Sequence, residues 1–139
     1  MTQKPPPAAS ACHPLHQLLD VGDGKVIAII GAGGKHTVMS RLSQELAGTG
    51  RSVILTSTTN LHRNTDFVQV ATVLVGDRTD WRYQLNVALA KHRRVILVQS
   101  QIGPNMYQGI GADTIDVVSA IAPQAVVLIK ADGARKRLL

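Results

Sequence analysis

The sequence predicts an α/β domain: a mostly parallel sheet with flanking helices, in three layers. Three observations carry this. Short apolar runs rich in valine, isoleucine and leucine recur along the 139 residues, as in strands covered on both faces. Stretches with helical spacing of apolar residues alternate with those runs, which is the order of parallel βα units. Glycines or hydroxyl residues follow several of the runs, where a strand passes into a loop.

The elements follow in order. Residues 1–12, with Pro5-Pro6-Pro7, read as a disordered tail, and residues 13–139 as one α/β domain. Leu15, Leu18, Leu19 and Val21 suggest a short helix ending near Gly22 and Gly24. Lys25–Ile30 is the first strand, and its apolar run Val26–Ile30 is expected to be buried. Thr37–Ala47 is a helix with Val38, Met39, Leu42 and Leu46 on one face, ended by Gly48 and Gly50. Ser52–Thr56 is the second strand and closes in the hydroxyl run Thr56-Ser57-Thr58-Thr59. Residues 60–68 read as loop and Val68–Val75 as a further strand. Asp80 is placed to cap a helix over Trp81–Lys91, with Trp81 in the core or an interface. Val95–Val98 is a strand, Gly103–Gly111 a loop and Asp113–Ile121 a helix. Ala125–Ala131 is the last strand and runs into Asp132-Gly133.

Composition narrows the function classes. Aromatic residues make up only 3% of the chain, so the core must be aliphatic. No apolar run reaches membrane-spanning length, and Met1–Ser10 lacks the apolar centre of a secretory signal. Cys12 is the single cysteine, which excludes an internal disulfide framework and fits a reducing cytoplasm. The net charge of +6 raises the question of nucleic acid. Lys91, Arg93 and Arg94 precede one strand, however, and Arg135, Lys136 and Arg137 follow another. In a parallel sheet those positions lie at opposite edges and form no continuous stripe, which argues against nucleic-acid binding. His13 and His16 have helical spacing but no third ligand to make a metal site. His62 and His92 fall in polar stretches.

Ligands of open α/β sheets sit beyond the carboxyl ends of the strands. Four segments are expected there: Gly31–Thr37, Thr56–Thr59, the 103–111 loop and Asp132–Arg137. In the first, Gly31, Ala32, Gly33 and Gly34 let the backbone turn and aim successive N–H groups at a phosphate. The helix that follows adds its free N–H groups and the positive end of its dipole. Lys35 adds a mobile charge for the outer phosphates. This is an imperfect P-loop. Ile29 stands where the pattern has its first glycine, and His36, followed by Thr37, stands where the pattern has the Mg²⁺-holding hydroxyl. A Rossmann dinucleotide site fits less well. Gly31 and Gly33 match it, but His36 takes the third glycine position and the second strand ends in Thr56 and Ser57 instead of an acid.

The Thr56–Thr59 hydroxyls suit sensing of a γ-phosphate or a place in a metal shell; β-propensity alone also puts threonines in a strand. Asp132, after an apolar strand, suits holding Mg²⁺ through water, and an Asp-Gly turn explains it equally well.

These blocks, in this order, resemble the selenium-dependent hydroxylase accessory proteins. The matching residues are Gly31–Thr37, Thr56–Thr59 and Ala131–Arg135 (Ala-Asp-Gly-Ala-Arg), within a likeness from about Leu15 to the end. The resemblance implies a P-loop NTPase-like domain that binds ATP or GTP and serves maturation of a molybdenum hydroxylase. The site it implies has Gly31–Gly34, His36 and Thr37 around the phosphates, with Lys35 on the outer ones and Thr58 and Thr59 beside them. Thr37 and Asp132 would hold the metal, and Arg135 would stabilise transition-state charge.

Three departures modify that expectation. The family has Thr where this chain has His36. It commonly has Glu where this chain has Lys130, on the strand face shared with Asp132. It also continues past this point, so residues 13–139 are expected to be the first part of a larger domain. An ammonium in place of a carboxylate repels a cation, so phosphate binding is expected with weak dependence on Mg²⁺. A nucleotide-dependent binding module without hydrolysis is the alternative function, and an NADP-dependent Rossmann-type reductase a further one.

Overall fold

The computed structural model describes residues 22–30, 34–63, 70–76 and 79–131. The expected tail, the helix around Leu15–Val21, Cys12, His13 and His16 lie outside them, as does everything after Ala131.

The chain forms β1 (Val26–Ile29), α1 (Lys35–Gly48), β2 (Val53–Ser57), β3 (Leu61–His62), β4 (Ala71–Leu74) and α2 (Trp81–Lys91). It continues with β5 (Arg94–Val98), β6 (Ser100–Gly103), β7 (Met106–Gln108), α3 (Ala112–Ile121) and β8 (Val126–Lys130). Five strands make a parallel sheet in the order β1-β8-β2-β5-β4. The expected α/β architecture is therefore present, with the helices on both faces.

Alternation along the strands divides the core. Val53, Leu55, Ile96, Val98, Val126 and Leu128 pack with Met39, Leu42 and Leu46 of α1. The intervening residues Ile54, Val95, Leu97, Val127 and Ile129 pack with Trp81 and Leu85 of α2 and Val118 of α3. Successive strand side chains point to opposite faces, so α1 covers one face and α2 with α3 the other. Trp81 is a core residue, with the Arg82 guanidinium 5.1 Å from its ring centre.

Several expectations are corrected. The run Val26–Ile30 is not buried: Val26 is 46% and Ile30 59% exposed. Among the described residues β1 pairs only with β8, and only its Ile27 and Ile29 side join the α1 core. α1 begins at Lys35, two residues before the expected start, because Gly34 takes a left-handed conformation (φ 75°) as the N-cap. Val38 is exposed because the buried face of α1 runs through Met39, Leu42, Ser43 and Leu46, and a neighbour one residue away is turned by about 100°. Asp80 occupies the N-cap of α2 but makes no side-chain cap bond; its carboxylate accepts from Gln84 Nε2 at 3.2 Å. Within the expected strand Val68–Val75, the ladder covers only Ala71–Leu74.

The largest correction concerns 60–68 and 103–111. β6 and β7 form an antiparallel hairpin across Pro104-Asn105, and β3 joins β7 through Leu61↔Tyr107 and His62↔Met106. Leu61 and Tyr107 are buried in the α1-side core. The Arg63 N–H donates to Asn105 O at 2.8 Å, and its Nη2 donates to Val70 O at 2.5 Å, which ties the small sheet to the approach to β4. Each of these strands has four residues or fewer, too short for periodicity to reveal. The Pro-Asn pair between apolar flanks was the available signal.

Candidate functional site

The strand order brings the sequence blocks together. β8, last in sequence, lies between β1 and β2. Ile29, Lys130 and Ser57 therefore share one row, paired Ile29↔Lys130 and Ser57↔Lys130. Adjacent strands stand about 4.8 Å apart, so the ends of β1 and β2 are within about 10 Å of each other across the end of β8. Ile30, Thr58 and Ala131, which lead out of β1, β2 and β8, therefore leave the sheet side by side.

Lys35 is the expected residue whose placement is clearest. It opens α1, and its Nζ donates to Ala131 O at 3.4 Å. Ala131 in turn donates its N–H to Ile29 O at 3.0 Å, which extends the β1–β8 ladder by one residue. The lysine thus bridges the start of α1 and the end of β8, on the half-buried rim of the edge. Gly34, immediately before it, is exposed, and its left-handed backbone needs a residue without Cβ. Its carbonyl accepts from Val38 N–H at 3.0 Å, closing the first turn. Thr37 lies exposed in that turn, and the backbone of His36 runs through it. Gly31, Ala32 and Gly33 lie outside the described residues, as do Asp132 and Arg135.

The hydroxyl run divides into two halves. Thr56 is fully buried and its Oγ1 donates to Leu97 O at 2.6 Å, tying β2 to β5. Ser57 is also fully buried; its Oγ donates to Lys130 O at 3.1 Å and accepts from the Thr59 N–H at 3.0 Å. These two hydroxyls serve the fold, so the part of the run available to a ligand is Thr58 and Thr59. The Thr58 N–H donates to Lys130 O at 3.1 Å, and its side chain is exposed. Thr59 Oγ1 lies 3.2 Å from Ser57 Oγ. With the Ser57 proton on Lys130 O, the Thr59 hydroxyl has Ser57 Oγ and Asn60 O, 3.5 Å away, as acceptors for its one proton, and its oxygen keeps a lone pair for another group.

Sequence reasoning missed what holds this turn. Ile110 donates its N–H to Ser57 O at 2.8 Å. A Cβ on Gly109 would stand 2.2 Å from Thr59 O and 2.3 Å from Ser57 O. The backbone leaving the β6–β7 hairpin is thus pressed against the threonine turn, at a distance only glycine permits.

Lys130 points its Nζ at Asn60 O, 3.2 Å away. The described part of the edge therefore carries two ammonium groups, Lys35 and Lys130. Among the described residues no group of three or more His, Cys, Asp or Glu side chains could hold a metal ion. Two ammonium groups attract an anion and repel a divalent cation, while the carbonyl oxygens around them can only accept. Among the described residues, no helix is long and apolar enough to cross a membrane.

No curated protein and no solved structure matches the chain. Residues 27–139 match the family of YqeC protein, which is linked to the selenium-dependent hydroxylase accessory proteins that the three sequence blocks resemble. The match begins in β1 and takes in every element from there on, so the chain belongs to the YqeC protein family.

Proposed function

We propose that this chain binds the phosphate groups of a nucleoside triphosphate, ATP or GTP, at the carboxyl edge of its parallel sheet. One observation carries the reading. The sheet order sets the end of β8 between the end of β1, which leads into the glycine segment, and the Thr58–Thr59 turn, with Lys35 Nζ 3.4 Å from Ala131 O. The Gly31–Gly34 amides and the free N–H groups of α1 are the cradle, and Lys35 contacts the outer phosphates. Thr58 and Thr59, which follow β2 on the other side of β8, are the further proposed contacts. Asp132 and Arg135, next along the chain, are the residues proposed for hydrolysis, in a P-loop-like domain.

The proposed role is that of an accessory factor in selenium-dependent molybdenum hydroxylase maturation, in the cytoplasm, with the hydroxylase or its maturation machinery as partner. Calorimetric titration of ATP and GTP into the wild-type protein and Lys35→Ala tests the phosphate reading. Equal affinities in both would overturn it.

A second reading is favoured by the Lys130 ammonium at this edge. It repels a divalent cation, which suits a module that binds nucleotide and transmits its presence to a partner without turnover. Steady-state phosphate release separates the two. The NADP-dependent reductase is tested by fluorescence titration of reduced nicotinamide cofactor. Ser57, where a dinucleotide site needs an acid near the end of the second strand, instead binds the neighbouring backbone.

A further inference from the structure

The opposite edge of the sheet carries a second polar concavity. It has a volume of about 380 Å³. Asp23 before β1, Thr49 and Gly50 after α1, Arg51 before β2, Arg93 before β5 and Gln124 before β8 line it. All are at the amino ends of strands or the carboxyl end of a helix, so the cavity is the full depth of the sheet away from Lys35.

Cations at helix carboxyl ends complement the helix dipole, and α1 and α2 both end here. That accounts for one contact: Arg93 Nη1 donates to Gly50 O at 2.6 Å. It leaves Nε and Nη2 of Arg93 without a protein partner among the described residues. Arg51 donates through Nε to Asp23 Oδ1 at 3.0 Å and through Nη1 to Thr49 Oγ1 at 2.9 Å. Its Nη2 has no protein partner among the described residues. Two guanidinium groups are thus held by fixed bonds, each with N–H donors left over, in one cavity. Such forks match the paired oxygens of a phosphate or carboxylate, and being pre-ordered they lose little entropy on binding.

The surroundings add charge of the same sign. Lys25, Lys91 and Arg94 stand at the same edge, at the starts of β1 and β5 and the end of α2. None of them has a carboxylate partner among the described residues. Arg94 donates instead to the neutral Ser43 Oγ at 3.2 Å, and burial holds its pKa below the ordinary arginine value. Among the described residues, Asp23 is the only acid lining the cavity.

We propose that this amino-edge cavity is an anion site for a small phosphate-type ligand, held by the unused donors of Arg51 and Arg93. Its size suits one or two phosphate groups, and it is independent of the carboxyl-edge site. Free pyrophosphate and the diphosphate of a nucleotide share this chemistry, and separate titrations with pyrophosphate and ADP distinguish the two sources.

The experiment is calorimetric titration in a Lys35→Ala background, so that the carboxyl edge contributes no lysine contact. Pyrophosphate should bind, and Arg51→Gln or Arg93→Gln should each weaken it at least tenfold. Arg51→Lys should weaken it nearly as much, because the charge stays and the fork is lost. Asp23→Asn should tighten binding several-fold by removing the opposing carboxylate. Lys25→Gln and Lys91→Gln lie outside the cavity and should change affinity less than twofold. The proposal is overturned if pyrophosphate does not bind, if the arginine variants bind as the background does, or if the lysine variants weaken binding as much as the arginine ones. A failed nucleotide site would appear separately, as unchanged ATP affinity between wild type and Lys35→Ala.

Discussion

Lys35 Nζ and Ala131 O meet at 3.4 Å across 96 positions of sequence. The contact joins the residue that opens α1 to the residue that leaves β8. It is long and on the rim, so a phosphate oxygen can replace the carbonyl as acceptor at little cost to the fold. A charged acceptor makes the stronger bond.

Lys35→Ala should therefore lower ATP or GTP affinity by at least tenfold while leaving the far-ultraviolet circular dichroism and the thermal midpoint close to wild type. Hydrogen bonds to charged groups contribute about 1.5–3 kcal/mol, and tenfold in affinity corresponds to about 1.4 kcal/mol. Titration beside a thermal melt checks both halves.

Nucleotide binding should depend only weakly on Mg²⁺, with less than a threefold loss of affinity on chelation. The Lys130 ammonium stands at the edge, bonded to Asn60 O. A large loss on adding chelator would show a metal shell built from residues after Ala131.

Lys130→Glu should reverse that behaviour. Without metal, the variant loses the bond to Asn60 O and places a carboxylate two residues from Asp132 in sequence, so it should melt lower than wild type. With Mg²⁺ and nucleotide it should gain more in melting temperature than wild type does, by mass action. Four melts decide it. A Mg²⁺-dependent gain no larger than that of wild type would mean that position 130 does not adjoin the metal.

The division of the hydroxyl run predicts a double dissociation. Thr56→Val removes a fully buried hydroxyl from Leu97 O and should destabilise the protein by about 1–2 kcal/mol in denaturant titrations, without a direct effect on ligand contacts. Thr58→Ala should leave stability within about 0.5 kcal/mol, as an exposed side chain does, and weaken nucleotide binding. The opposite pattern would place the ligand deeper in the sheet.

Gly109→Ala should be among the most damaging conservative changes. Its Cβ would meet backbone oxygens of Ser57 and Thr59 that have no rotamer to escape into. Overpacking costs about 1–3 kcal/mol, and the displaced threonine turn should also lose nucleotide affinity. Gly48→Ala is the control: nothing stands within 4 Å of its Cβ, and as the last residue of α1 it should be neutral or stabilising by up to about 1 kcal/mol.

The local order of this chain was legible from residue type alone. Val26–Ile29, Val53–Ser57, Arg94–Val98 and Val126–Lys130 are short β-branched runs, and α1 and α2 carry helical apolar spacing; side-chain period decides such elements without reference to the rest of the molecule. The position of Lys35 behind a glycine turn was legible for the same reason. The pairing order β1-β8-β2-β5-β4 was not, because it depends on which strand ends meet in space, and nothing in β8 itself marks it as the neighbour of both β1 and β2. Burial also follows from pairing: Val26 and Ile30 look like core residues until β1 is seen to lack a neighbour on one side among the described residues. The hydroxyls of Thr56 and Thr58 are chemically the same, and only the depth of each beneath the sheet edge makes one a structural donor and leaves the other open to a ligand. Sequence determined which groups this protein has and which local elements carry them. Tertiary structure decided which groups share an edge, because long-range contacts set the distances over which hydrogen bonds and charges act.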